Sequence, residues 1–395
     1  MTTVVDPIND RTTADSATAL ADASSWDREQ SVRVDYRELV SFAAEVFTAR
    51  GLSPERSAKA AAALVHGDLT GVTSHGLTNL TRLYLPLLDE GRADPAADLE
   101  VVADRGAAVL VDSHNALGLW SAGAAMDLAL ERAEEHGIGL VSLYNGTHFG
   151  CAGHFTGLVA EAGAIALLAG NCGGQRIIRP PGGAVPLLGT NPFSIASPGG
   201  EHPPYVLDMS TSVVPTGRVR QAARAGQQVP EGWLVDDHGA PVTDPAAFDR
   251  GEAHLAWLGG TPENGAFKGY GLSLMVETLA ALLPGAGLGP TAGALADPGS
   301  GRDDNIGFCA LVIAPGRLRD PERFQQDAAG LFGTLLASPS VNPDVPVSYP
   351  GVPEYHRAAR HRADGVPLAP ALYAELADLA GTLNLTSPAL LGGTR

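Results

Sequence analysis

Few cysteines, a deficit of positive charge and no long apolar run each remove a class of protein. Cys151, Cys172 and Cys309 are the only cysteines in 395 residues. Odd in number, far apart and in no C-x-x-C, they fit neither a disulfide framework nor a zinc knuckle; a reducing cytoplasm suits them, and no metal is expected. Lys plus Arg total 26 against 44 Asp plus Glu, a net charge of −18. Such a chain repels nucleic-acid phosphates and anionic membranes, while screening still permits a local basic pocket for a phosphate-bearing cofactor. No segment approaches the ~18 apolar residues of a membrane span. The start, MTTVVDPINDRTT, lacks the basic end and apolar core of a signal peptide. Missing too are G-x-G-x-x-G after a strand, G-x-x-x-x-G-K-[ST], H-E-x-x-H and G-x-S-x-G, which removes the strongest support for Rossmann, kinase-type, zincin and α/β-hydrolase readings. Gly285, Gly287 and Gly289 have the wrong spacing and follow a helix.

What is present suits a globular enzyme. The chain is 45% hydrophobic with 48 Gly and 29 Pro spread along it, and its length favours two domains. Residues 1 to about 33 lack apolar periodicity and read as a flexible extension. Leu39, Phe42, Ala43, Val46 and Phe47 recur at helical spacing, and Ser53-Pro54 caps a second helix. That helix runs into Gly71-Val72-Thr73-Ser74-His75-Gly76, a break before LTNLTRLYLPLL resumes the pattern. LEVVAD and AAVLVDS read as a hairpin, 120–136 as a helix, IGLVSLY and AIALLAGN as buried strands flanking a helix, GYGLSLMVETLAALL as a helix, NIGFCALVIAP as a strand and 370–383 as a helix.

Several residues read two ways. Ser74 and His75 offer a hydroxyl and a proton donor whose tautomer Asp208 can set, but a histidine at a helix break is also commonly structural. His148, at a strand end that opens a helix, is a ligand contact or a locally satisfied core histidine. Gly189-Thr190-Asn191-Pro192 is a turn or a cradle for phosphate or carboxamide. Lys268, at the start of an apolar helix, is a solvated lysine or part of an anion site.

Taken together, Ser74-His75-Gly76, His148-Phe149-Gly150-Cys151-Ala152-Gly153, Leu188-Gly189-Thr190-Asn191-Pro192, Asp208-Met209-Ser210-Thr211-Ser212, Pro230-Glu231-Gly232-Trp233, Lys268-Gly269-Tyr270-Gly271 and Tyr349-Pro350-Gly351-Val352-Pro353-Glu354 resemble, in order and spacing, the type-2 malate/L-lactate dehydrogenase family. That family includes ureidoglycolate and sulfolactate dehydrogenases, diketogulonate reductase and piperideine-2-carboxylate ketimine reductase. The resemblance spans roughly residues 36 to 390 and implies an α/β fold of α+β character without a Rossmann unit, in which a helical domain accompanies a cofactor domain on a mainly antiparallel sheet. It implies a discontinuous helical, substrate and dimer domain from 34–115 and 300–395, a cofactor domain from 116–299, a homodimer and NADH or NADPH as cofactor. By the same resemblance Ser74, His75 and Asp208 match the family's proton relay, with His148 as the alternative acid/base. His148, Phe149, Gly150, Cys151, Ala152, Cys172, Gly189, Thr190, Asn191, Asp208, Met209, Lys268, Pro350 and Gly351 match its cofactor-contacting stretches.

Three departures surround this implied site. Asn79 stands where the family usually has an arginine gripping the substrate carboxylate, and a neutral amide cannot form that bidentate pair. Arg82, Arg176 or Arg179 is then the candidate substitute. Cys172 replaces a usual serine and is expected to pack, and Gly260-Thr261-Pro262-Glu263-Asn264 looks like an insertion before the Lys268 motif. The expected function is hydride transfer between a nicotinamide and a small polar 2-oxo/2-hydroxy compound. A cyclic ketimine reductase is the alternative, and a cofactor-free hydrolase or lyase reusing Ser74, His75 and Asp208 is the more distant one.

Overall fold

The structure is a computed structural model, and it describes residues 31–391 apart from 262, 297, 298 and 300. Most of the expected extension, 1–30, lies outside the described residues, but Val32–Val34 form strand β1, paired antiparallel with β12 (Val366–Leu368). Helix α1 (Tyr36–Ala49) buries Leu39, Phe42, Ala43, Val46 and Phe47, the stripe predicted from spacing. Ser53 caps α2 (Pro54–Thr70) by accepting from Arg56 N–H, and Gly71 ends it in a left-handed conformation.

The scaffold is a seven-stranded sheet of order β2-β3-β4-β11-β5-β6-β7. Its strands are β2 (Glu100–Asp104), β3 (Ala108–Asp112), β4 (Ile138–Gly146), β5 (Ile165–Gly170), β6 (Phe193–Ser197), β7 (Tyr205–Met209) and β11 (Ile306–Ile313). Only β3 and β4 run parallel; the other neighbours are antiparallel. This is why no Rossmann fingerprint was there to find. The boundaries read at 116 and 300 cut through the sheet: β2, β3 and β11 fall on their helical side in sequence, yet β11 pairs with both β4 and β5 at the centre. The cause is its run IGFCALVI, whose residues are almost all buried and need apolar cover on both faces.

Helices α3 (Gly118–His136) and α4 (Ala152–Glu161) cover the sheet, and α2 packs on α3. A satellite core around Ile178, Leu188, Val219, Leu234 and Trp257 holds α5 (Thr216–Arg224) with the small sheet β10-β8-β9, made of β8 (Leu234–Val235), β9 (Pro241–Val242) and β10 (His254–Leu255). Then follow α6 (Ala266–Val276), α7 (Pro321–Leu336), α8 (Val352–Asp364) and α9 (Pro370–Leu383). No described helix is long and apolar enough to cross a membrane.

The break after α2 is a tight reversal. Leu77 N–H donates to the buried Asp68 carboxylate at 2.6 Å, and a Cβ on Gly67 would meet the Gly76 nitrogen at 2.7 Å. Alanine at a helical glycine ordinarily favours the helix by up to about 1 kcal/mol. Here Gly67→Ala is expected to destabilise by about 1–3 kcal/mol, because the added methyl strikes backbone. Thermal unfolding checks this: the midpoint should fall, and a rise would mean the reversal is slack.

Candidate active site

The reversal delivers Thr73–His75 as a short 3-10 turn. Ser74 Oγ lies 2.9 Å from His75 Nδ1, and the His75 ring stacks on His148 with centroids 5.8 Å apart. His148 is delivered from the opposite side, at the end of β4, and its Nδ1 lies 2.8 Å from the Tyr84 hydroxyl and 3.2 Å from Gly150 N–H. Both imidazoles are half-buried. Among the described residues neither Nε2 has a protein partner. Burial, and secondarily the neighbouring His148, lowers the His75 pKa to about 4, so it is neutral at pH 7. His148 is also pushed down, chiefly by burial, with Asp303 opposing.

Asp208 has a different partner from the one expected. Its carboxylate accepts Gly153 N–H at 2.7 Å, in the first turn of α4, where a negative charge is favourable. The group beside His75 Nδ1 is the Ser74 hydroxyl, not Asp208. Asp208 is open to solvent, yet crowded enough that burial raises its pKa to about 6 against the Gly153 bond, with Glu354 adding to the rise. The segment from His148 to Gly153 therefore spans from the imidazole pair to this carboxylate.

The other expected cofactor stretches gather around β7 and the strand ends. Pro350 C=O accepts Val206 N–H at 3.0 Å, and Gly351, at φ +100°, presses so close to Pro204 and Val206 that a side chain would collide. Met209 pairs with Phe193 across β6 and β7. Thr190 C=O takes both the N–H and the hydroxyl of Thr211, at 2.9 and 2.8 Å. Asn191 donates to buried Glu277 at 2.9 Å and Ser273 Oγ at 3.0 Å, fixing the turn to α6 and the π-helical Glu277–Leu282 that continues it. Cys172 packs on Gly189, with Sγ 3.7 Å from Thr190 Oγ1 and its thiol pushed up by burial. Phe149 is a core anchor, edge-on to Phe308 at 4.9 Å, and Cys151 and Ala152 are buried with it, so this loop offers backbone and His148 rather than these side chains. Lys268 is exposed at the start of α6 and makes no ion pair among the described residues.

The candidate substrate residues separate. Asn79 turns back and donates to Ser74 C=O at 2.9 Å, bracing the 3-10 turn. Arg82 lies 3.6 Å from Glu375, and Arg179 is paired with Asp237 at 2.8 Å. Arg176 has no ion pair among the described residues, and its buried Nε lacks a hydrogen-bond partner. In the stretch read as an insertion, Pro262 lies outside the described residues. Sequence reasoning missed Tyr84 and Asp68: a tyrosine in an apolar helix and an acid before a helix end carry no local mark of their partners. Asp68 is almost fully buried, and its pKa is raised to about 7 by desolvation despite the Leu77 bond.

His75 is expected to titrate near pH 4 rather than at its ordinary 6.5 in the folded protein. It therefore contributes stability that is present above pH 6.5 and lost as pH falls towards 4. Removing its neighbour in His148→Asn should raise the value without restoring it, because burial is the larger cause. Histidine-ring NMR across pH reads this out; protonation of His75 already half complete at pH 6.5 would contradict it.

The malate/L-lactate dehydrogenase family model matches residues 34–377. A malate dehydrogenase from Pyrococcus abyssi is 37% identical over 65% of this chain and 70% of its own length. A Delta(1)-pyrroline-2-carboxylate/Delta(1)-piperideine-2-carboxylate reductase from Pseudomonas putida is 35% identical over 78% of this chain and 86% of its own. The crystal structure of malate dehydrogenase from Entamoeba histolytica superposes with a TM-score of 0.83 at 27% identity, covering 91% of this chain and all of that one. With this family match over a mostly antiparallel sheet, the chain belongs to the malate/L-lactate dehydrogenase family of oxidoreductases.

Proposed function

We propose that this chain is a cytoplasmic, homodimeric dehydrogenase using NADH or NADPH, which moves hydride between the nicotinamide and a small polar 2-oxo/2-hydroxy compound. The observation that carries the reading is the Ser74-braced His75 stacked on His148, with both Nε2 atoms free of protein partners among the described residues. The residues suit a dinucleotide: Lys268 and the buried Nε of Arg176, both without partners among the described residues, supply the cation and donor that a pyrophosphate needs in a chain of net charge −18. When bound, a nicotinamide supplies or accepts the hydride.

His75 moves the proton. Neutral in the free protein, it accepts the substrate O–H proton in oxidation and returns it in reduction. Ser74 Oγ accepts from Nδ1–H in both the neutral ring and the imidazolium, which keeps Nε2 as the nitrogen that takes and returns the proton. Reduction needs the imidazolium that burial disfavours, and a negatively charged substrate group in the cleft offsets that penalty. Asp208 holds the start of α4, and with it the His148 loop, against this site.

Asn79 favours a second reading within the same chemistry, reduction of a cyclic imine. Its amide is neutral and committed to Ser74 C=O, so the carboxylate grip expected of a simple 2-oxo acid is missing at this position. The proton from His75 then goes to an imine nitrogen.

Fluorescence titration is expected to show binding of NADH or NADPH, and binding of neither would sink the proposal. With the bound cofactor, His75→Asn should slow hydride transfer by about 10²- to 10⁴-fold while leaving cofactor affinity intact. Transfer that survives loss of His75 but not of His148 would move the proton to His148. Comparing a 2-oxo acid with a cyclic imine that lacks a carboxylate separates the two substrate classes.

A further inference from the structure

We propose that Tyr84 is a positioning residue that locks His148 as its Nε2–H tautomer, so that His148 acts as a fixed hydrogen-bond donor to the reacting atom while His75 alone carries the proton. The donor role rests on the oxidoreductase reading; the tautomer lock does not.

Tyr84 is fully buried, so its hydroxyl needs a partner inside the protein, and His148 Nδ1 at 2.8 Å is that partner. Which atom donates is decided by a third group. Gly150 N–H points at the same Nδ1 from 3.2 Å and can only donate. A proton on Nδ1 would face this N–H head-on, so the nitrogen is an acceptor and the Tyr84 O–H donates to it. A neutral imidazole with an accepting Nδ1 carries its hydrogen on Nε2. The ring is flanked by the Tyr84 and Phe149 rings, with centroids 5.8 and 6.2 Å away, and by the His75 ring stacked on it. The one acidic group that acts on His148, Asp303, would draw a second proton to the ring, but Arg92 holds it at 2.6 Å.

The helix around Tyr84 is built for this contact. Leu80–Tyr84 is π-helical, closed by Leu85 N–H to Leu80 C=O, one residue longer than an α turn. An extra residue rotates the remainder of the helix by about 100° relative to a regular α-helix. It leaves Arg82 on the surface against Glu375 and Tyr84 inside. π turns inside helices are frequent at functional positions for this reason.

The consequence is a division of labour between two stacked histidines of similar exposure. His75 has a single partner at Nδ1, the Ser74 hydroxyl, which accepts from Nδ1–H whether or not Nε2 is protonated, so this ring can gain and lose a proton at Nε2. His148 has two donors at Nδ1, so protonation there would sacrifice both bonds. It is suited to polarise a carbonyl or imine, not to supply the proton.

The test uses full-length protein labelled with 15N-histidine at pH 7, with His148 identified by the signal lost in His148→Asn. In the parent protein His148 is expected to show a bare Nδ1 and a protonated Nε2. In Tyr84→Phe, which keeps the ring and loses only the hydroxyl, Nδ1 retains just the longer Gly150 N–H bond, so the two nitrogen signals should move part of the way towards each other as the second tautomer becomes populated. Steady-state kinetics of the same variant should show kcat down about tenfold or more with KM changed much less, the pattern of an interaction made mainly in the transition state. A tyrosine that merely fills the core would leave the nitrogen signals in place, and that result, or a protonated Nδ1 in the parent, overturns the proposal. A protein that turns over no nicotinamide substrate but shows the expected signals would retain the lock and lose the polarising role.

Discussion

The hydrogen bond from Leu77 N–H to the Asp68 carboxylate is the constraint on which the site depends. It folds the chain back on α2 so tightly that Gly67 and Gly76 touch, and Ser74 and His75 project from the turn it closes. A carboxyl that is almost wholly buried is costly in its charged form, and its pKa near 7 registers that cost. The protein accepts the penalty where the reversal has no other way to satisfy a buried N–H. His361 and Arg357 on α8 reinforce the same stretch, binding the C=O groups of Leu69 at 2.8 Å and Thr70 at 2.6 Å. A segment some 290 residues away thus anchors the end of α2.

Around that anchor the site is assembled from separate pieces of the fold: the 3-10 turn after α2, the loop between β4 and α4, and the end of β7. Each piece has its own tie, respectively Asp68 to Leu77, Tyr84 to His148, and Asp208 to Gly153. The electrostatics follow from crowding rather than from a dominant ion pair. Burial holds His75 neutral near a pKa of 4 and lifts Asp208 to about 6, in each case by disfavouring the charged form.

Much of the fold was legible in the sequence. Periodicity located α1, α9 and the buried strands, and Ser53-Pro54 and Gly71 marked the limits of α2. The ordered motifs carried the family. Helix α8 was not legible, because VPEYHRAARHRAD is too polar to show an apolar stripe, nor was the small sheet, whose strands are two residues each. The placement of β11 is a tertiary fact: an apolar run announces a buried strand but not its neighbours. The same limit hid the partners of the site. Nothing local in LTRLY says that its tyrosine meets a histidine 64 residues later, and nothing near Asp208 says that it caps α4. Residue identity suggested the actors, and long-range packing assigned their roles.

The claim at the centre is that hydride and proton meet beside the His75 and His148 pair. A crystal structure with nicotinamide cofactor and a substrate analogue bound tests it most directly. The expected result has the ring carbon that carries hydride facing the analogue's reacting carbon, with His75 Nε2 within hydrogen-bond reach, about 3 Å, of the adjoining oxygen or nitrogen. A nicotinamide seated away from both imidazoles, or an analogue whose reacting atom contacts neither Nε2, would contradict it.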